Sequence, residues 1–253
     1  MVRLVTFNVH HGVGVDGRHD LDRLTRLLAA TDADLICLQE VDRHFGPRSE
    51  HADQALALAR ALDRELVWAA SLDEPTDGPQ RRQYGNALLS RLPVLERQVH
   101  RLPGSGEPRT ALRTVVRVDG GVLAVTTSHL ANRSRPDRAA QAAVLAELAG
   151  GTGIVAGDLN ADAGAPELAP LRDRLTDAWA AAPSRSDQSR RLTLHTGQGC
   201  THPVRRPRVR IDQVWVPQRS AVTAARVLDG SAVSDHHPLL VDLDVGAGGR
   251  PTR

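Results

Sequence analysis

Lysine is absent from this chain, so all 32 of its basic side chains are arginines. Aromatic rings supply only 2% of the residues, and there are two cysteines, Cys37 and Cys200. No run approaches the roughly 18 apolar residues that cross a bilayer. Each shortage excludes something. The arginines face 30 acids for a net charge of +2, without the basic excess of proteins that hold nucleic acid by charge alone. Phe7, Phe45, Trp68, Tyr84, Trp179 and Trp215 are few for base stacking, DNA wedging or membrane-surface loops. A chain of 253 residues can build its core without disulfides. Cys37, inside Leu35-Ile36-Cys37-Leu38, reads as a buried thiol. The expectation is a reduced, cytoplasmic protein without integral membrane association, and Val2-Arg3-Leu4-Val5 reads as a strand rather than a signal peptide. No Ser or Cys nucleophile motif occurs, nor a Gly-rich phosphate loop followed by Lys-Ser/Thr.

Apolar periodicity gives the elements. A strand runs from Val2 to Val9, and a helix follows with Asp20 as N-cap and Leu21, Leu24, Leu27 and Leu28 at helical spacing. Leu35 to Gln39 is a buried strand, Ala52 to Leu62 a helix, and Asp73 to Gln83 a polar loop before the strand Ala87–Ser90. Pro93–Arg101, Thr110–Val118 and Val122–Thr127 form a meander, the last two joined by the turn Asp119-Gly120-Gly121. A helix over Asp137–Ala149 and a buried strand over Gly153–Gly157 follow. Pro183–Arg191 reads as a loop, Arg210–Val216 and Leu239–Leu243 as strands. Residues 1–245 form one domain, and the Gly/Pro/Arg-rich 246–253 is a disordered tail. Helices interleaved with strands of both kinds predict two mixed sheets packed face to face.

Polar islands stand at the ends of these apolar runs. They are Thr6-Phe7-Asn8-Val9-His10, Leu38-Gln39-Glu40-Val41-Asp42, Ser128-His129-Leu130, Gly157-Asp158-Leu159-Asn160, Arg210-Ile211-Asp212 and Ser234-Asp235-His236-His237-Pro238. Each delivers a side chain from a strand end, and together they suit one metal-assisted phosphoester-hydrolysing site. A hard cation takes oxygen donors such as Glu40. Asp158 and Asn160, at i and i+2 of an extended segment, face the same side. A histidine such as His236 titrates near working pH.

The ordered set resembles the endonuclease/exonuclease/phosphatase superfamily over essentially the whole chain, Thr6 to Pro238. The resemblance implies a four-layered α/β sandwich: two mixed, mainly antiparallel sheets with helices outside and the site at one rim. It further implies Mg2+, with Mn2+ able to substitute, held by Glu40 with Asn8 and Asp235. Asp158 corresponds to the residue that activates the attacking water, and Asn160 to a phosphate contact. His236 acts as general base or as charged stabiliser, with Asp212 on its far nitrogen. His129 donates to a phosphate oxygen or to the leaving group. The AP-endonuclease branch tends to carry Tyr where this chain has His129, and a carboxylate where it has His10. His129 leans instead toward the DNase, sphingomyelinase and phosphatase branches.

Around that set, Asn132, Asn86 and Arg210 are candidate substrate contacts, the last within the basic run Pro203–Arg210. Arg109 and Arg113 read as exposed strand charges and His237 as structural. His10 is a second-metal ligand or a packed side chain. His195, Cys200 and His202 lack the fourth ligand of a zinc site. The leading expectation is a Mg2+-dependent phosphodiesterase acting on a phosphoester, with nucleic acid as a possible partner. A phosphatase for a soluble phosphomonoester or inositol phosphate is the second reading, and a non-catalytic binding scaffold the third.

Overall fold

The structure is a computed structural model that describes residues 1–188 and 199–245. One sheet has seven strands: β1 (Val2–Asn8), β2 (Leu35–Arg43), β3 (Glu65–Glu74), β4 (Arg82–Ser90), β10 (Ser184–Asp187), β12 (Ala221–Val227) and β13 (Leu239–Asp244), ordered β10-β12-β13-β1-β2-β4-β3. The other has six: β5 (Val94–Arg101), β6 (Thr110–Val118), β7 (Gly121–His129), β8 (Ile154–Asp158), β9 (Leu175–Asp177) and β11 (Asp212–Pro217), ordered β5-β6-β7-β8-β11-β9. Both are mixed: β1 runs parallel to β2, β10 to β12 and β7 to β8, and the remaining pairs are antiparallel.

Side-chain alternation builds the layers. In β1, Leu4 turns into the core shared by the sheets, while Val5 and Phe7 turn outward beneath α1 (Leu21–Ala30) and α2 (Gln54–Ala61). In β8, Ile154 and Ala156 face the shared core, and Val155 packs outward beneath α3 (Arg135–Ala149) and α4 (Ala169–Arg172). The result is the four-layered α/β sandwich. A short α5 (Ala178–Ala181) adds Trp179 to the shared core. The helix starts follow their caps: Asp20 accepts from Arg23 N–H, Asp53 from Leu56 N–H, and Ser134 from Asp137 N–H.

The inward row of each central strand changes character toward one rim. On β1 it reads Val2, Leu4, Thr6, Asn8; on β7 Leu123, Val125, Thr127, His129; on β8 Ile154, Ala156, Asp158; on β11, read backwards, Val216, Val214, Asp212. Just below the rim, Gln39 donates to Thr6 Oγ1 at 3.3 Å and across to Thr127 Oγ1 at 3.0 Å, a hydrogen-bonded floor between apolar core and charged edge.

Several elements differ from the sequence reading. β3 is unforeseen, and with β4 it takes the two ends of the expected 73–83 loop, leaving 75–81 outside strand; its single buried face at an edge position gives only a weak alternating pattern. β9 and β12 are also unforeseen, and β10 lies inside the expected 183–191 loop. β7 extends through His129, placing that histidine within the strand. Residues 189–191 of that loop, His195 and the 246–253 tail lie outside the described residues. Among the described residues no helix is long and apolar enough to cross a membrane. Cys37 and Cys200 are both buried free thiols.

Gly157 is where β8 comes closest to the backbone of β7. A Cβ built there would lie 1.9 Å from the carbonyl oxygen of Ser128 on β7, backbone that cannot swing aside. Gly157→Ala is expected to lower stability by at least about 2 kcal/mol, a fall of roughly 4–8 °C in unfolding midpoint for a chain of this size. A thermal melt unchanged within about a degree would contradict this packing.

Candidate active site

Strand register explains why six separated islands meet. β7 and β8 run parallel with His129 opposite Asp158, and β11 enters antiparallel with Asp212 opposite the same Asp158. In the other sheet the pairing of β1 with β2 ends with Asn8 opposite Gln39. β13 starts beside the end of β1, Thr6 opposite Leu239, so the Ser234–Pro238 segment before it hangs over the rim. Glu40 reaches the rim through an irregularity: register with β4 slips between Leu38 and Val41, and Glu40 adopts φ +57°. A non-glycine residue in that left-handed region costs on the order of 1 kcal/mol and marks a side chain turned out of its ladder.

Asn8 is the centre of the hydrogen-bond network. Its amide nitrogen donates to Glu40 Oε1 and to Asp158 Oδ2, both at 3.0 Å. Its oxygen accepts from His10 N–H at 3.0 Å; a backbone N–H only donates, so the amide orientation is fixed. Asn8 thus bridges two acids across the sheets and turns its oxygen away from them. As a metal ligand, the role expected from sequence, it would have to exchange that bond; as found, it positions carboxylates.

Asp158 is buried, and its two oxygens have different duties. Oδ1 accepts from Asn160 N–H at 2.9 Å. Oδ2 faces Asn8, with His129 Nε2 at 3.5 Å and His236 Nε2 at 3.8 Å. Burial raises the pKa of Asp158, Asp212 adds to the rise, and His236 opposes it. His236 donates from Nδ1 to Asp212 Oδ2 at 2.8 Å, which aims Nε2 into the site. Burial acts against its positive charge, yet Asp212, Asp158 and Asp235 outweigh burial and raise its pKa. The second oxygen of Asp212 is buried without a partner among the described residues.

His129 behaves oppositely. Arg109, 4% exposed, donates to His129 Nδ1 at 3.1 Å. A guanidinium cannot accept, so Nδ1 holds the lone pair and Nε2 carries the proton. Burial first, then Arg109 and His236, push the pKa of His129 well down. The rim therefore carries one neutral imidazole donor and one that favours its proton. Arg109 was read from sequence as an exposed strand charge and is not one. The Asp119-Gly120-Gly121 turn contained the signal, because folding β6 onto β7 about it pairs Ala111 with Ser128 and brings residue 109 beside His129.

The remaining candidates are placed as follows. Asn160, at φ +51°, donates its amide to Leu130 O at 3.0 Å. Asp235 is partly exposed, its Oδ1 3.9 Å from His236 Nε2. Asn86 is buried below the rim and donates to Thr110 O at 3.0 Å, tying one sheet to the other. Asn132 is exposed on the loop after β7. Arg210 corrects the sequence reading as a substrate contact: both ends of its guanidinium grip Asp177, at 3.0 and 2.6 Å, in a pair about nine-tenths buried. His237 is structural, accepting from Gly230 N–H and donating to Val204 O. His202, unassigned from sequence, lies over His236 with ring centroids 4.5 Å apart. His11, its pKa lowered to about 3, first by burial and then by His10, stands 4.0 Å from Glu40 Oε2.

Ser128 and Ser234 spend their hydroxyls on the carbonyls of Thr110 and Asn8. Without a nucleophilic hydroxyl or thiol among the described residues of the rim, paired acids and imidazoles are equipment for delivering water to an electrophile, as in a hydrolase. Residues 5–236 match the model of the Endonuclease/Exonuclease/phosphatase family, and the chain belongs to that family, whose electrophile is phosphorus: it is a phosphoester hydrolase. Among solved structures it is similar to an endonuclease/exonuclease/phosphatase from Beutenbergia cavernae, at 25% identity and TM-score 0.75, covering 97% of this chain and 72% of that one. It is also similar in fold to the mannosyl-6-phosphatase of Bacteroides thetaiotaomicron (17% identity, 96% and 100% covered, TM-score 0.73). The human Nocturnin catalytic domain with bound sulfate is a third likeness (22% identity, 96% and 94% covered, TM-score 0.68). No curated protein matches the chain by sequence.

Two measurements check this geometry. Removing the charge of Arg210 strands Asp177 in the interior, so Arg210→Met is expected to cost about 3–5 kcal/mol in denaturant unfolding; a loss below about 1 kcal/mol would return Arg210 to the surface. Nitrogen-15 NMR of the histidine rings at neutral pH is expected to show His129 neutral with its proton on Nε2. A resonance pattern for the Nδ1-protonated ring would contradict the Arg109 contact.

Proposed function

We propose that the chain is a Mg2+-dependent phosphodiesterase that uses water, not an enzyme side chain, as nucleophile. The observation carrying this reading is the convergence on Asp158 Oδ2: Asn8 at 3.0 Å, His129 Nε2 at 3.5 Å and His236 Nε2 at 3.8 Å, with Glu40 on the same amide.

Asp158 is the proton acceptor. Asn160 N–H fixes one oxygen, the other faces the site, and the raised pKa makes the carboxylate a better base than a solvated one. Water held there attacks phosphorus as the ester P–O bond opposite it breaks, and the water proton passes to Asp158 Oδ2. His236, aimed by Asp212, presents an Nε2 proton to a phosphoryl oxygen, the charged-stabiliser role among the two expected from the resemblance. His129 donates from Nε2 to a second oxygen as negative charge builds, and Arg109 holds the tautomer that permits it. Asn86 is committed to Thr110 O and Asn160 to Leu130 O, whereas Asn132, exposed on the loop after β7, extends recognition to the substrate beyond the phosphate.

The donor set fits a hard cation. Glu40 is delivered to the rim at a backbone irregularity, and Asp235 offers a partly exposed carboxylate; oxygen donors with space for water are what Mg2+ accepts, and Mn2+ after it. Glu40 and Asp235 would hold the Mg2+, which when bound would supply Lewis-acid polarisation of the phosphoryl group and charge neutralisation at the leaving oxygen.

Asp158→Ala and His236→Ala are each expected to lower hydrolysis of bis(p-nitrophenyl) phosphate at least about a hundredfold; near wild-type turnover in either would remove that residue from the mechanism. Glu40→Ala is expected to raise the Mg2+ concentration for half-maximal rate, and an unchanged Mg2+ titration would exclude Glu40 as a ligand. Faster turnover of p-nitrophenyl phosphate than of the diester would move the assignment to a phosphomonoesterase.

A further inference from the structure

We propose that His202, Asp235 and His236 form a second cation site, overlapping the proposed Mg2+ donors at Asp235, for a borderline divalent cation such as Zn2+ or Co2+, and that filling it stops hydrolysis. One ligand atom from each residue lies within 4.8 Å of the other two. Asp235 Oδ1 and His236 Nε2 are 3.9 Å apart, and the rings of His202 and His236 are tilted 39° with centroids at 4.5 Å. Ligand atoms around a tetrahedral ion bonded at about 2.0–2.2 Å sit about 3.4 Å apart, so the cluster needs only a modest contraction.

The residues that must move are able to. Asp235 has a side chain 40% exposed. His202 is half-buried, and neither of its ring nitrogens hydrogen-bonds to any described residue. His236 is the fixed member: Nδ1 donates to Asp212 and the main-chain N–H to Ser234 Oγ. A carboxylate behind an imidazole whose other nitrogen faces the site is the arrangement that orients histidine ligands. Two imidazoles with one carboxylate select zinc, cobalt and their neighbours over Mg2+. Glu40 is not among the three, so the two kinds of cation draw on different donors and share only Asp235.

The inhibitory half rests on the role proposed for His236, because an ion on Nε2 removes that nitrogen from the phosphate; the binding half does not. The test uses the full chain with Mg2+ saturating. Co2+ is titrated and followed by visible absorption and equilibrium dialysis, and Zn2+ is titrated against bis(p-nitrophenyl) phosphate hydrolysis. One equivalent of Co2+ with visible bands is expected, with affinity reduced at least about tenfold in His202→Gln. The Zn2+ concentration for half-inhibition, referred to each protein's own rate in Mg2+ alone, should rise by a similar factor. His202→Ala replaces His202→Gln if a thermal melt without metal shows the latter unfolded. Equal Co2+ affinity in wild type and variant, or no Co2+ held, overturns the site; weaker Co2+ binding with unchanged Zn2+ inhibition overturns its regulatory meaning. A wild type that cleaves no phosphoester refutes the functional reading instead, while the Co2+ titration still decides the site.

Discussion

The side-chain amide of Asn8 fastens the two sheets together where the reactive groups lie. It sits on β1, takes Glu40 from β2 in its own sheet and Asp158 from β8 in the opposite one, and does so with a single nitrogen. Two carboxylates held against one donor repel each other, and the repulsion persists only because both are anchored elsewhere. Asp158 is held by Asn160 N–H, and Glu40 by the backbone irregularity that turns it out of the ladder. The rest of the rim is arranged around this concentration of acids, with His236 offsetting it from 3.8 Å.

Burial then sorts the two histidines. Both are about 5% exposed, so both lose solvation for a charged ring. The difference lies in what stands behind each one. Asp212 behind His236, together with Asp158 and Asp235, outweighs burial, whereas Arg109 behind His129 adds to the penalty. Neighbouring side chains of opposite sign therefore give one residue type two protonation preferences a few ångströms apart. This division lets a single rim present a charged donor and a neutral donor to one phosphate, as the proposed chemistry requires.

Much of this was legible in the sequence, for identifiable reasons. Central strands with both faces buried read as continuous apolar runs, so β1, β2 and β8 and the polar residues ending them stood out. The capping residue Asp20 marked the start of the first helix. Strands β3, β9, β10 and β12 were missed because a strand that is short or buries one face leaves little periodic signal. Arg109, read as an exposed charge, and Arg210, read as a substrate contact, were both taken to be accessible, and only the fold reveals that His129 and Asp177 hold those guanidinium groups in the interior. His202 was beyond reach because nothing in its local pattern announces a neighbour 34 positions away.

The Gln39 floor has a consequence for how such a molecule diversifies. Tied to Thr6 and Thr127, it isolates the greasy interior from events at the edge, and every proposed reactive group stands on a strand end or on the short segment entering β13. Exposed connections such as 75–81 after β3 carry no share of the interior's frame. They can lengthen, shorten or change sign while the machinery beneath keeps its shape. A scaffold divided in this way can acquire new clientele by exchanging its outer loops alone.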